Sequence, residues 1–276
     1  MTRPIVLATC ARWPALSASD ECLAAALCAR GWRVEAAPWN GPFTPFAGAA
    51  AVVIRSTWDY HEAPAAYLDW LAQLDATRTF NPPALVRWNL SKAHVLELGA
   101  RGARVPRSLE TAADPGAVAA ALVALDLRQA VIKPLFGASG AGVERVTAGG
   151  EAAALARAQA RKPTERVLVQ ELLPGIEHGE LAGVFFDGVF SHGARRVPAP
   201  GEFRVNAQYG GRMEAAAVSP PLVSEMAAVL ALLPASALYA RVDGVVVDGR
   251  FVVSLGLDLA PGAADRFAQA LLARLA

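Results

Sequence analysis

Two periods of apolar and polar positions alternate along the first hundred residues. Ile5–Cys10 and Ala49–Thr57 are short apolar runs, the pattern of strands covered on both faces, and Arg33–Trp39 also reads as a strand. Between them, Ser19–Arg30 and Ala63–Leu74 carry helical periodicity. Ser19 or Asp20 is the expected N-cap of the first helix, and Gly31 its stop. Phe80-Asn81-Pro82-Pro83 predicts a short strand closed by prolines. Strands separated by helices of this length imply an α/β unit with a mostly parallel sheet and βαβ crossovers.

From Val105 to Leu173 the pattern changes. Val131-Ile132-Lys133-Pro134 predicts a strand, Leu135–Gly142 a glycine-rich turn and Val143–Val146 the returning strand. Glu151–Arg161 predicts a helix and Arg166–Leu172 another strand, which together make a small α+β lobe. Beyond Pro174-Gly175, strands are expected at Leu181–Phe186, Val189–Ala194 and Ala240–Val247, with hairpin turns at Asp187-Gly188 and Asp248-Gly249. The expected division is therefore 1–102, 103–173 and 174–276.

Composition narrows the function classes. Of 276 residues, 54% are apolar and 18% charged, which excludes intrinsic disorder. The 26 basic and 25 acidic residues give a net charge of +1, against a nucleic-acid-coating role, which needs an excess of Lys and Arg. The mean hydropathy of +0.31 comes from alanine, and no window reaches about eighteen apolar residues, so no membrane span is expected. The apolar run after Met1-Thr2-Arg3-Pro4 is too short for a signal peptide. Cys10, Cys22 and Cys28, odd in number and without metal-type spacing, read as reduced thiols of a cytoplasmic protein.

Four stretches carry candidate chemistry. Gly137, Gly140 and Gly142, with Ser139 between them, let backbone N–H groups approach a phosphate, although an ordinary hairpin turn accounts for the loop equally well. Lys133, on the strand feeding that loop, is costly to bury unless it meets an anion. In Val167–Pro174, a strand ending in Glu171 can present backbone groups to an adenine edge, and Glu177 or Glu180 could hold ribose hydroxyls. Solvated loop acids are the alternative. Arg195-Arg196 and Phe203-Arg204-Val205-Asn206, running to Tyr209-Gly210-Gly211, suit carboxylate or phosphate oxygens, or form a solvated basic loop. Arg241 and Asp243, two apart on a strand, share a face that could hold phosphate oxygens and Mg²⁺, or could simply pair with each other.

In this order the motifs resemble the ATP-grasp enzymes, and more narrowly their carboxylate–amine ligase branch, which includes glutathione synthetase and the cycloserine-biosynthesis ligases. Further stretches are similar to that last subgroup: Ala8-Thr9-Cys10-Ala11-Arg12, Arg55-Ser56-Thr57-Trp58-Asp59-Tyr60, Asn81-Pro82-Pro83, Arg87-Trp88-Asn89-Leu90-Ser91-Lys92 and Phe190-Ser191-His192. The resemblance implies an ATP-grasp fold: an N-terminal parallel-sheet substrate domain, a lid and a C-terminal core. It implies Lys92 and Lys133 on ATP phosphates beneath the Gly137–Ser139–Gly140 loop, Glu171 at the adenine and Glu180 at the ribose. It further implies Arg204 and Arg241 on phosphates or an acyl phosphate, and Asp243 on Mg²⁺. Trp58-Asp59-Tyr60 would face the substrate cleft, while His94 and His178 are expected at the surface.

One departure matters. Where the family continues with a Glu-Leu-Glu-Leu-Ile-Glu-Pro-like pattern, this chain has Ser254-Leu255-Gly256-Leu257-Asp258, so Ser254 and Gly256 stand in place of two metal-bridging glutamates. Gly183 and Ala207-Gln208 also replace bulkier or acidic residues. Two functions follow: a ligase joining small-molecule carboxylate and amine substrates through an acyl phosphate, with ATP and Mg²⁺, or a degenerate nucleotide-binding or partner-supporting module. Neither nucleic acid nor membrane is an expected partner, and a homodimer is left open.

Overall fold

The computed structural model describes residues 3–254 and 263–276. The N-terminal unit runs β1 (Ile5–Thr9), α1 (Ala18–Cys28), β2 (Val34–Pro38), α2 (Thr44–Gly48), β3 (Ala51–Ile54), α3 (Pro64–Gln73), β4 (Thr79–Phe80), α4 (Pro83–Leu90) and α5 (His94–Ala100). Its sheet has the order β2-β1-β3-β4, all parallel, as the alternating strand and helix signals predict. β1 is buried along its whole length because its side chains alternate between two cores. Ile5 and Leu7 pack with Leu23, Leu27, Ala51 and Val53, whereas Val6 and Ala8 face Val52, Ile54, Trp39, Tyr67 and Trp70.

The N-cap of α1 is Ser17, not the expected Ser19 or Asp20. Its hydroxyl accepts the Asp20 amide at 3.3 Å, and the Asp20 carboxylate is drawn inward to other partners.

The middle unit comprises β5 (Ser108–Ala112), α6 (Pro115–Ala124), β6 (Gln129–Pro134), β7 (Glu144–Thr147), α7 (Glu151–Arg161) and β8 (Arg166–Glu171). It forms an antiparallel sheet in the order β5-β8-β6-β7. Its core is its own: Val118, Leu122, Ile132, Leu155, Val167 and Val169.

The last unit comprises β9 (Glu180–Phe186), β10 (Val189–Val197), β11 (Arg212–Ala216), α8 (Pro220–Leu230), β12 (Tyr239–Val247), β13 (Arg250–Ser254) and α9 (Ala263–Ala273). Its antiparallel sheet runs β11-β10-β9-β12-β13. Both predicted two-residue hairpins are present, with positive φ at Asp187 and Gly188 (49° and 77°) and at Asp248 and Gly249 (50° and 74°), as a type I′ turn demands. Gly183 has a packing reason: a Cβ there would stand 2.5 Å from the Met226 sulfur of α8.

The first and last units are not packed independently. Phe267 and Leu271 of α9 lie in the same core as Ile5 and Leu7, together with Val184, Phe186 and Tyr239. Each such side chain contributes about 1.5–3 kcal/mol by burial, so this shared core fixes the two sheets against each other. Among the described residues no helix is long and apolar enough to cross a membrane, and the three cysteines are free thiols.

Candidate functional site

The glycine loop leaves β6 at Pro134 and returns at β7. Ser139, Gly140 and Gly142 all have positive φ (56°, 74° and 69°), a conformation that Gly adopts without strain. A Cβ on Gly140 would stand 2.9 Å from Asn206 Oδ1 and 3.0 Å from the Tyr209 ring. The loop therefore rests on the Arg204–Tyr209 segment. Tyr209 donates to the Gly140 carbonyl at 3.2 Å, and the Gln208 amide donates to the Ser139 carbonyl.

Lysines reach the loop from two units. Lys92, just before α5, donates through Nζ to the Gly137 carbonyl at 2.7 Å, and its backbone N–H bonds Leu135 O at 2.9 Å. Burial, with Lys133 and Lys162 nearby, pushes its ammonium down to about 7. Lys133 donates to Gln170 Oε1 at 2.6 Å, and burial lowers its pKa too, against the attraction of Glu180. Lys162 and Gln170 were not singled out from the sequence. Lys162 follows Arg161 just beyond a helix end, where basic residues are ordinary, and only tertiary packing brings it here.

The Arg-rich segment is internally ordered. Arg204 pairs with Glu202 through two contacts (Nη2 at 2.7 Å, Nε at 3.1 Å) and lies over the Tyr209 ring, 3.8 Å from its centroid. That pairing holds the Glu202 carboxyl down at about 2.

On the C-terminal sheet, neighbouring strands bring four charges together. Arg241 grips Asp243 with Nε at 2.6 Å and Nη2 at 2.7 Å. Arg196 Nη1 sits 3.4 Å from Asp243 and 3.5 Å from Glu180. Gly179 allows this approach, since a Cβ there would fall 2.6 Å from the Arg196 carbonyl oxygen. Complete burial pushes the Asp243 carboxyl up to about 6 against the pull of Arg241 and Arg196.

Asp243, the expected Mg²⁺ ligand, thus has both carboxylate oxygens in ion pairs, and among the described residues no three metal-ligating side chains stand together. This set does not fit a two-metal clamp. Ser254 is the backbone partner of Asp243 across the β12–β13 hairpin, while Gly256 and Asp258 lie outside the described residues.

Glu171, expected at the adenine, ends β8 with its side chain turned to Arg107. Nη2 of Arg107 reaches Oε1 at 3.0 Å, and Arg107 Nε and N–H both reach Oε2 at 3.2 Å. This pairing lowers the carboxyl pKa. His178 is exposed as expected, but His94 is buried, 3% exposed. Its Nδ1 donates to Ser91 O at 2.6 Å, and burial beside Lys92 lowers its pKa to about 4.

The N-terminal sheet meets this site at the carboxyl ends of β1 and β3. Asp20 is fully buried, bound by Arg55 (2.6 Å), Ser56 (2.5 Å) and Ser17 (2.8 Å). Arg55 stacks over Tyr239, which shares the β12 face of Arg241 and Asp243. A 40 Å³ cavity opens among Ser17, Ser19, Arg55, Ser56, Trp58 and Tyr239. Trp39 Nε1 (2.6 Å) and Asn40 Nδ2 (3.1 Å) hold Asp59 and so fix the Trp58-Asp59-Tyr60 turn, with Trp58 exposed.

Residues 5–81 match the family described as the N-terminal domain of D-cycloserine synthetase DcsG, and residues 118–240 match the prokaryotic glutathione synthetase ATP-grasp domain. The cycloserine biosynthesis protein DcsG of Streptomyces lavendulae is 31% identical, over 89% of this chain and 90% of that protein. The glutathione synthetase of Parasynechococcus marenigrum is 37% identical over 113 residues, 40% of this chain and 36% of that protein. The crystal structure of D-cycloserine synthetase DcsG superposes with a TM-score of 0.81 at 28% identity, covering 99% of both chains. At 16% identity, the D-alanine–D-alanine ligase of Bacillus anthracis shares the fold, with a TM-score of 0.69 over 99% of this chain and 96% of that one. With this lysine-and-glycine-loop site and a relative matched almost end to end, the chain belongs to the ATP-grasp ligase family, in the branch that contains D-cycloserine synthetase.

Proposed function

We propose that this protein is an ATP-dependent ligase that activates the carboxylate of a small amino-acid-like substrate as an acyl phosphate and passes it to an amine or related nucleophile. The reading is carried by one observation: Lys92 of the N-terminal unit donates to the Gly137 carbonyl of the glycine loop at 2.7 Å, with the Lys133 ammonium near enough to act on its charge. In the proposed reaction a substrate carboxylate oxygen attacks the γ-phosphorus and ADP departs. The nucleophile then attacks the acyl carbon and releases phosphate. Lys92 and Lys133 neutralise the phosphate oxygens, the loop N–H groups hold them, and Arg241 faces the acyl phosphate with Asp243 fixing its guanidinium. Glu171 lies at the adenine end and Glu180 at the ribose. Arg204 closes the phosphate side, and the Trp58 turn with Arg55 borders the substrate. Asp243 would be open to a nucleotide-borne Mg²⁺ only if Arg196 or Arg241 released it, and the ion would then help neutralise the phosphate charge.

The test is hydroxylamine trapping. With ATP, Mg²⁺ and amino acids supplied singly, an acyl phosphate yields a hydroxamate and ADP. A second reading, a nucleotide-binding module without turnover, is favoured by the Arg241–Asp243–Arg196–Glu180 cluster, which engages the acids that metal binding would need. Tight ATP binding with neither ADP nor hydroxamate across all amino acids would establish that reading instead.

A further inference from the structure

Lys162 follows α7 in the middle unit, yet its Nζ donates at 2.6 Å to the carbonyl of His61 in the N-terminal unit. Its stem is set against the glycine loop, where a Cβ on Gly142 would stand 2.9 Å from Lys162 Cβ. The ammonium lies close enough that its charge and that of Lys133 disfavour protonation of Lys92, and both Lys162 and Lys92 act in the same sense on His61. At Lys133 the carboxylate of Glu180 opposes the lowering caused by burial. Each ammonium carries three N–H donors, and Lys92, Lys133 and Lys162 donate to Gly137 O, Gln170 Oε1 and His61 O respectively. Three cations from two units meeting around a glycine loop repel one another until an anion lies between them.

We propose that Lys162 is a third polyphosphate-binding lysine, which also latches the lid to the His61 turn, so that phosphate binding and closure onto the N-terminal unit are one event. The proposal rests on the nucleotide-site reading above. One N–H of Lys162 stays on the His61 carbonyl and the others turn to phosphate oxygens. Without a polyphosphate, repulsion among Lys92, Lys133 and Lys162 opposes closure. With one, the same charges favour it.

The test is titration of the full-length chain with ATP, ADP and adenosine for wild type, Lys162→Ala, Lys162→Arg and Lys133→Ala, with hydrogen exchange followed over residues 59–63. Lys162→Ala is expected to weaken ATP and ADP about ten- to a hundredfold, as for a lost charged hydrogen bond, and to leave adenosine unchanged. Lys162→Arg restores most of the affinity. ATP slows exchange at the Glu62 amide, which bonds Asp59 O in this turn, in wild type but not in Lys162→Ala. If Lys162→Ala binds ATP like wild type while Lys133→Ala does not, the latch is wrong and the nucleotide site stands. If neither substitution weakens ATP, the nucleotide-site reading falls with it. A melting temperature close to wild type shows that each variant folds, and the half-buried position of Lys162 leaves room for both substitutions.

Discussion

Arg241 and Asp243, two residues apart on β12, hold each other through paired contacts of 2.6 and 2.7 Å, so the aspartate faces the cleft already neutralised. Arg196 adds a second ion pair to the same carboxylate at 3.4 Å. Asp243→Asn leaves the buried Arg241 guanidinium short of its anion and the half-buried Arg196 with Glu180 alone, and should cost about 3–5 kcal/mol of unfolding free energy. Adding Arg241→Gln should recover part of that loss, because the stranded charge goes with it. Urea denaturation of both variants measures the coupling. A single substitution costing under about 1 kcal/mol would show that the pair does not hold this sheet together.

The same carboxylate has an unusual pH signature. Burial raises its folded pKa to about 6 from 3.8, so between those values the folded chain binds the proton that the unfolded chain has released. Its contribution therefore favours folding below about pH 4 and is lost as pH rises to about 6, the reverse of most paired carboxylates. Comparing wild type with Asp243→Asn across this window isolates the term. A slope difference of the opposite sign would contradict the assignment.

Lys133→Ala should lower ATP affinity by about 1.5–3 kcal/mol, the value of a hydrogen bond to a charged group, while the lid stays folded. Folding should survive because Gln170, the partner of Lys133, keeps a second bond from its Nε2 to Ser108 at 3.0 Å. Calorimetric titration with ATP and a thermal melt separate the two effects. Unchanged affinity would remove Lys133 from the phosphate site.

Lys92 supplies a pH test of that site. Its folded pKa is lowered to about 7 from 10.5, so the unfolded chain holds more protons between these values and this term increases stability as pH rises through them. A phosphate reverses the preference by favouring the ammonium. ATP binding near pH 8 should therefore take up a proton, and affinity should fall from pH 6.5 to 9. Titration in buffers of different ionisation enthalpy counts the proton. Lys92→Arg, which stays charged, should abolish the uptake.

Much of this was legible where local signals and tertiary packing agree. The buried run of β1 predicted a strand, the Asp-Gly pairs predicted turns, and Glu151–Arg161 predicted the helix at those residues. The lysine, glycine-loop and Arg-segment motifs were visible singly, and packing brings them together through Tyr209, Gln208 and Asn206. What failed was environment. His94 carries no local mark of burial, yet it packs beside Trp88 with ring centroids 5.1 Å apart. The Arg107–Glu171 pair spans 64 residues, and the Lys162–His61 bond spans 101, separations over which no periodicity operates.

Asn81 tests how the N-terminal unit positions the reacting face. Its Oδ1 accepts the backbone N–H groups of Leu238 (2.7 Å) and Tyr239 (3.3 Å), and its Nδ2 donates to Tyr239 O at 2.8 Å. One side chain thus closes the entrance of β12, two residues before Arg241. Leu238 is fully buried, so Asn81→Ala strands its amide away from water, at about 1–3 kcal/mol, with a smaller loss at Tyr239. The loosened strand start should misplace Arg241, the residue proposed to meet the acyl phosphate, and leave the lid lysines where they are. The expected result is near-normal ATP affinity with ADP release reduced at least tenfold, together with a lowered melting temperature. Asn81→Asp, which keeps the acceptor and loses the donor, should fall between the two. If Asn81→Ala instead weakened ATP binding as much as ADP release, the β12 entrance would be serving the nucleotide and not the substrate side of the site.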